Sequence, residues 1–189
     1  MRRRLLLTAS AMCAVALLAG LWATGGLRAA PRPAQRSARN AVDLGRYRLR
    51  VADVVVRQVE RGGATLVVTL RVTVRDRRTV PVMDFAVNAL SLDVPRGTQI
   101  TPISAVGRSQ DLEVSMLNPG VPTTVVLTYG LGHGPVPAGF HARLSLWRYE
   151  HREDFFYGYR HWIPRKPDKP KDGDVADYVV PLPIRWASA

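Results

Sequence analysis

Residues 64–75 read Ala64-Thr65-Leu66-Val67-Val68-Thr69-Leu70-Arg71-Val72-Thr73-Val74-Arg75. Ala64, Leu66, Val68, Leu70, Val72 and Val74 share one parity. Thr65, Thr69, Arg71, Thr73 and Arg75, with Val67, share the other. Successive side chains of a strand point to opposite faces, so this is a long strand with one face in a core and one toward water. The same alternation recurs in Asn88–Val94, in Val121–Tyr129 and in Phe140–Tyr149. Arg46–Val59 is also strand-like but changes phase: Leu49 and Val51 fall on one face, Val54 and Val56 on the other, which places a bulge or break near Ala52-Asp53. Turn residues separate these runs at Glu60-Arg61-Gly62-Gly63, Pro95-Arg96-Gly97, Asn118-Pro119-Gly120 and Gly132–Gly139. No stretch after Leu27 shows a helical period. The pattern predicts an all-β, two-layer antiparallel sandwich of about seven to nine strands over residues 45–189. Its core is predicted to hold Leu66, Val68, Leu70, Val72, Leu90, Leu92, Val125, Leu127, Leu144 and Leu146.

The ends of the chain carry a different signal. Arg2, Arg3 and Arg4 precede an uncharged run from Leu5 to Leu27, the mark of an export signal or a signal anchor. Residues 1–27 are therefore read as an N-terminal apolar helix, either a cleaved signal peptide or an uncleaved single-pass anchor with its N-terminus inside. Residues 28–44, rich in Pro, Arg and Ala, read as a linker. Both alternatives place the rest of the chain outside the cytoplasm, secreted or held at the membrane through residues 5–27. The single cysteine, Cys13, lies in the apolar run, so the exported part has neither disulfide nor thiolate metal site.

The 189-residue chain is 47% apolar and 22% charged, with a net charge of +12 carried by 24 Arg and 3 Lys. These proportions exclude a disordered chain, a collagen-like repeat and a multi-span membrane protein. Beyond residue 30 there remain 23 basic and 15 acidic residues. An exported basic domain meets anionic lipid headgroups or acidic wall polymers rather than nucleic acid, although dispersed arginine more often forms a solvated surface. The partner is read as an envelope protein or an anionic wall polymer. Residues 164–177 read as a charged Pro/Lys/Asp loop. In the following run, 178–186, Val180, Leu182, Ile184 and Trp186 share one face and Pro181 and Pro183 the other. Two prolines of equal parity fit an edge strand paired on one side only.

The strand order resembles a bacterial family of exported immunoglobulin-like domains, described as immunoprotective-antigen-like. The matching pieces are Thr65–Val74, the polar turn Asp76–Thr79, Leu90–Gly97, and Asn118-Pro119-Gly120 leading into Val121–Leu131. They lie within Tyr47–Tyr149. The resemblance implies an immunoglobulin-like sandwich and a non-enzymatic secreted or envelope module. The family's Asn in the turn after the long strand is absent here, where Arg75-Asp76-Arg77-Arg78 stands, so no role for it carries over.

No catalytic constellation is present. Four histidines and several serines occur without a Gly-x-Ser-x-Gly elbow. Glu150, Glu153 and Asp154 lie beside Arg148 and Arg152 and read as solvated ion pairs rather than a glycosidase pair. Gly130-Leu131-Gly132-His133-Gly134 lacks the Lys and helix of a phosphate loop. His141, His151 and His161 recur every ten residues, too far apart along strands for one metal site. The chain is read as having no cofactor, no metal and no enzymatic activity.

The densest chemical feature is aromatic. Half of the 14 aromatic residues fall between Trp147 and Trp162. If Phe140–Tyr149 and Glu153–Trp162 form a hairpin with its tip at Glu150-His151-Arg152, Trp147 lies opposite Phe155, Ser145 opposite Tyr157, Arg143 opposite Tyr159, and His141 opposite His161. Its outer face would present Trp147, Tyr149, Phe155, Tyr157 and Tyr159, rimmed by His141, Arg143 and His161, a composition suited to a binding surface. The expected function is a non-catalytic envelope module that binds or scaffolds a protein partner. The alternative is binding of carbohydrate or an anionic wall polymer through this aromatic/Arg face; a metal carrier or an enzyme comes third.

Overall fold

The computed structural model describes residues 15, 20, 32–58, 63–95, 98–133, 136–137, 139–153, 160–167 and 175–187. The chain divides into two compact units, Met1–Arg32 and Pro33–Ala189. The apolar helix expected over residues 1–27 lies outside the described residues, apart from Val15 and Gly20. Among the described residues no helix is long and apolar enough to cross a membrane.

The second unit opens with β1 (Ala34–Gln35) and β2 (Val42–Asp43), then the hairpin of β3 (Tyr47–Gln58) and β4 (Gly63–Val74). A short β5 (Val80–Pro81) leads into α1 (Val82–Ala89). After it come β6 (Leu90–Val94), β7 (Thr98–Ile100), β8 (Ser104–Ser109), β9 (Leu112–Val114), β10 (Met116–Leu117) and β11 (Thr123–His133). The last elements are β12 (Arg143–Leu146), β13 (Tyr149–Glu153), β14 (Arg160–Pro164), β15 (Tyr178–Pro181) and β16 (Arg185–Trp186). One sheet runs β1-β15-β12-β6-β7. The other runs β16-β3-β4-β11-β8-β9, with β2 beside β3. Two-stranded ribbons β5–β10 and β13–β14 flank them.

The two large sheets share one apolar cluster, which makes the fold a β-sandwich. All ten expected core residues are buried in it, Leu70 with 0% of its surface exposed, while Arg71 points to solvent. The phase change in β3 is a bulge: Val51 pairs with Leu70 but Asp53 with Thr69, so burial passes from Tyr47, Leu49 and Val51 to Val54 and Val56.

Several expectations are corrected. The linker assigned to 28–44 ends early, because β1 and β2 pair with β15 and β3, and Val42 and Leu44 join the core. A helix stands at Val82–Ala89 where none was expected. Its buried residues Val82, Phe85, Ala86 and Ala89 follow the i, i+3, i+4, i+7 spacing, and it starts after Pro81, which cannot donate a backbone hydrogen bond. The strand expected over 140–149 stops at Leu146, where the chain leaves one sheet for the β13–β14 ribbon. The final run is no single edge strand. β15 lies between β1 and β12, Leu182 to Ile184 cross the sandwich edge, and β16 borders the other sheet. Pro181 ends the first ladder and frees the chain to cross. The β1–β15 and β16–β3 pairs are parallel, so the sandwich is not purely antiparallel.

Candidate functional site

The expected aromatic hairpin does not form. Tyr149 pairs with Pro164, His151 with Trp162 and Arg152 with His161, and Arg143 lies between Asp93 and Pro181 in a different sheet. His141 therefore does not face His161. Trp147, 3% exposed, packs on Ala176 and Val179 beneath the C-terminal segment, and Tyr149, 6% exposed, belongs to the main core. Neither presents a ring to solvent, so these two rings do not form part of an outer face. His141 and Arg143 are exposed and His161 is half-buried. Phe155, Tyr157 and Tyr159 lie outside the described residues. The carboxylates near the ribbon do form ion pairs, Glu150 with Arg152 at 2.7 Å and Arg165 at 3.2 Å, and Glu153 with Arg160 at 3.3 Å. Among the described residues, no group of three His, Cys, Asp or Glu side chains could hold a metal ion.

The burial of Trp147 follows from its position. It leaves β12 on the outer face of the five-stranded sheet, where Ser91, Asp93 and Ser145 are also covered or half-covered. Its Nε1 donates a long hydrogen bond of 3.5 Å to Ser91 Oγ. Ser145 Oγ donates to Asp93 Oδ2, while Asp93 Oδ1 is buried without a partner. Burial raises the Asp93 pKa; the Ser145 hydrogen bond and the nearby Arg143 and Gln99 oppose the rise.

Tyr149 and Trp162 of the aromatic cluster line a cup between the start of β3, α1 and the β13–β14 ribbon. Its volume is about 250 Å³, and Arg46, Tyr47, Thr79, Asp84, Asn88, Tyr149 and Trp162 line it. The edge of the Tyr47 ring meets Phe85 at 4.8 Å and Tyr149 at 5.1 Å. The Arg46 guanidinium lies 5.6 Å from the Tyr47 ring and 5.9 Å from that of Tyr149, and is tied to Asp76 at 3.1 Å. Gly45, at φ +83°, brings the backbone so close that a Cβ there would sit 2.7 Å from the Tyr149 carbonyl oxygen and 3.0 Å from the Trp162 ring. Arg46 Nε is buried without a hydrogen-bond partner, and Tyr47 Oη is buried beside the Tyr149 hydroxyl with no hydrogen bond of normal geometry. Burial pushes the Tyr47 phenol up to about 12, against the pull of Arg46 and of the Tyr149 hydroxyl. Tyr149 is raised further, again chiefly by burial.

Two other depressions offer less. A 340 Å³ cleft holds Lys166, whose Nζ donates to the Val87 and Leu90 carbonyls at 2.6 Å and caps the C-terminus of α1. A wider 500 Å³ hollow between Gln35–Arg39 and Pro181–Pro183 contains none of the unpartnered buried polar atoms.

A charged surface emerges only from strand register. Arg50 on β3 lies opposite Arg71 on β4, Arg71 opposite Thr124 on β11, and Thr124 opposite Arg108 on β8. All three arginines are exposed, with Arg48 one alternation from Arg50 on the same face. Among the described residues none of the four forms an ion pair. Glu113 on β9 lies opposite Arg108 at one end of the row, and Asp43 on β2 lies opposite Arg48 at the other. The sequence shows each arginine on the polar parity of its strand, but only the pairing register puts them in one line.

No protein-family model and no curated protein matches the chain. Among solved structures, a β-sandwich protein of Clostridium difficile 630 is similar over 80% of this chain and 97% of its own, with 9% identity and a TM-score of 0.47. A secreted protein of Mycobacterium tuberculosis, MPT63, is similar over 60% of this chain and 88% of its own, with 15% identity and a TM-score of 0.39.

Proposed function

We propose that this chain is an exported, non-catalytic envelope module of the immunoglobulin-like kind, and that its seven-stranded sheet binds an anionic wall polymer. The observation that carries the reading is the arginine row. Like charges directly opposite on neighbouring strands repel and destabilise the pairing, yet Arg50 faces Arg71 with no acid between them. Neighbouring strands lie about 4.8 Å apart and alternate residues about 7 Å apart, so the four guanidiniums span a flat strip that can meet successive phosphates or carboxylates of a linear polymer. Arginine suits this because its planar fork binds such groups in pairs.

The full chain should co-sediment with cell walls that retain their poly(glycerol phosphate) and not with walls stripped of it. Binding should weaken steeply with added salt, because each neutralised charge releases counterions. Arg50→Thr combined with Arg71→Thr should abolish it. Retention by the double variant, or equal binding to stripped walls, refutes the proposal; preference for phosphatidylglycerol vesicles over walls would assign the face to lipid instead. Protease accessibility in whole cells tests the location, and a cytoplasmic, protected chain refutes it.

A further inference from the structure

The row of arginines ends at β3, but the exposed positive charge does not. The hollow of about 500 Å³ between Gln35–Arg39 and Pro181–Pro183 carries Arg36 and Arg39 on one side. Both are exposed, and among the described residues neither forms an ion pair. The Arg36 guanidinium lies 5.4 Å from the centre of the Tyr178 ring, a contact that holds the side chain without neutralising it. The opposite side of the hollow, Pro181, Leu182 and Pro183, has no charge.

Two chain crossings set this hollow beside the row. Residues 36–41 carry the chain from β1 to β2, and residues 182–184 carry it from β15 to β16. The crossings start side by side, because β1 and β15 are paired, and both arrive at the same edge of β3. Val42 arrives opposite Leu49, which stands between Arg48 and Arg50, and Arg185 arrives opposite Val55. Among the described residues no strand pairs with β3 on this side between those two points, so residues 50–54 form a gap in the edge, with the bulge inside it. Arg39 is three residues from Val42 and Pro183 two from Arg185, so the two sides of the hollow lie within ~11 Å and ~7 Å of residues that reach β3. The acids that border the gap are already engaged, Asp43 by Arg75 and Asp53 by Arg185. A linear polyanion that leaves the row at Arg50 therefore meets Arg39 and Arg36 next, and no free carboxylate of β2 or β3 repels it on the way.

We infer that the polymer bound by the arginine row turns round the β3 edge and lays its next phosphate-bearing unit in this hollow, with Arg36 and Arg39 donating to the phosphate and the carbon body resting on Pro181, Leu182 and Pro183. The inference rests on the reading of the row as a polyanion site and extends that site to a second face of the domain. The flat row reads charge alone. The hollow adds an uncharged side, and so takes a charge carried on a carbon chain. Arginine serves here as it does on the sheet, since its planar fork can give two hydrogen bonds to one phosphate.

The test measures binding of the full chain to immobilised poly(glycerol phosphate) over a series of salt concentrations. Arg36→Thr combined with Arg39→Thr should weaken binding about tenfold at low salt, the worth of two exposed ionic contacts. It should also flatten the slope of log affinity against log salt by roughly one to two, because two fewer charges are neutralised. Arg152→Thr combined with Arg160→Thr removes the same charge from the β13–β14 ribbon and should leave affinity and slope close to the parent's. The inference is overturned if the Arg36/Arg39 variant keeps the parent's affinity and slope. It is overturned equally if the ribbon variant loses as much, since net charge would then explain the effect. Arg50→Thr with Arg71→Thr, read in the same assay, separates the two claims: loss there without loss at Arg36 and Arg39 overturns the hollow alone, and loss in neither overturns the row as well.

Discussion

Raising the pH should unfold this domain cooperatively through its tyrosines. Tyr47, Tyr129 and Tyr149 are all buried, and burial raises the pKa of each. A phenol in the unfolded chain ionises near pH 10, whereas Tyr47 is held to about 12 in the fold. The folded pKa is the higher one, so the stabilising contribution is complete below about pH 10 and is lost as pH rises toward the folded value. For Tyr47 two units at about 1.4 kcal/mol each amount to about 3 kcal/mol. Tyr129 and Tyr149 shift in the same direction, so above about pH 10 the three together remove about 4 kcal/mol per pH unit. A domain stable by about 5–10 kcal/mol exhausts that within roughly one to three pH units. Few other groups confuse the reading, since the chain has 3 Lys and its one Cys belongs to the first unit. The assay follows phenolate absorbance and far-ultraviolet circular dichroism on the same alkaline titration. Phenolate from the buried tyrosines should appear together with loss of the strand signal, in one step. Tyr129→Phe should move that step to higher pH and reduce its steepness by about a third. At neutral pH the variant should match or exceed the parent by ~1–2 kcal/mol, because the Tyr129 hydroxyl is buried without a partner. Smooth ionisation of every tyrosine near pH 10 with the circular dichroism unchanged would refute the burial on which the argument rests.

Leu70→Ala should cost ~2–5 kcal/mol in chemical denaturation, since Leu70 is wholly buried at the centre of β4; a loss under 1 kcal/mol would contradict the register. Gly45→Ala should destabilise by about 1–3 kcal/mol, because it forces a side chain into left-handed backbone and against the Tyr149 carbonyl. Asp93→Asn should raise the thermal midpoint at neutral pH and leave it unchanged below about pH 3.5. The folded pKa of Asp93 is raised, so its contribution is complete below the unfolded value near 3.9 and declines as pH rises through the folded one. An equal shift at both pH values would show that the charge is not the cause.

The long strands were legible because each buries one face. Twelve residues of β4 alternate without interruption, and the two-residue period of a half-buried strand admits one register. The bulge in β3 was legible for the same reason, since an extra residue must invert the parity on either side of it. Elements whose burial follows another rule were harder to see. Helix α1 has only eight residues, and its last two continue into the alternation of Leu90, Leu92 and Val94. A period-two pattern therefore extends over Asn88 and Ala89 and masks the helical spacing of Val82, Phe85, Ala86 and Ala89. β15 failed differently. Val179 and Val180 are both buried, one against Trp147 and the other in the main core, so parity says nothing about which edge is open.

The candidate sites divide along the same line. The aromatic concentration is visible in composition, but which rings share a face depends on the hairpin register, which pairs Tyr149 with Pro164. The chain leaves its sheet between Leu146 and Tyr149, and that single departure moves Tyr149 into the core and turns Trp147 beneath the C-terminal segment. The arginine row shows the converse. Arg50 and Arg71 stand on adjoining strands of one hairpin, so their pairing was within reach of the sequence once the bulge fixed the count. Arg108 was not, because β8 meets β11 only after the chain has passed through α1, β6 and β7 and changed sheets. A local hairpin can be aligned by counting, whereas a face assembled from non-neighbouring strands depends on long-range pairing that no short window contains. The row therefore resembles scattered solvated arginine in the sequence and comes into line, with Thr124 between Arg71 and Arg108, only in the folded sheet.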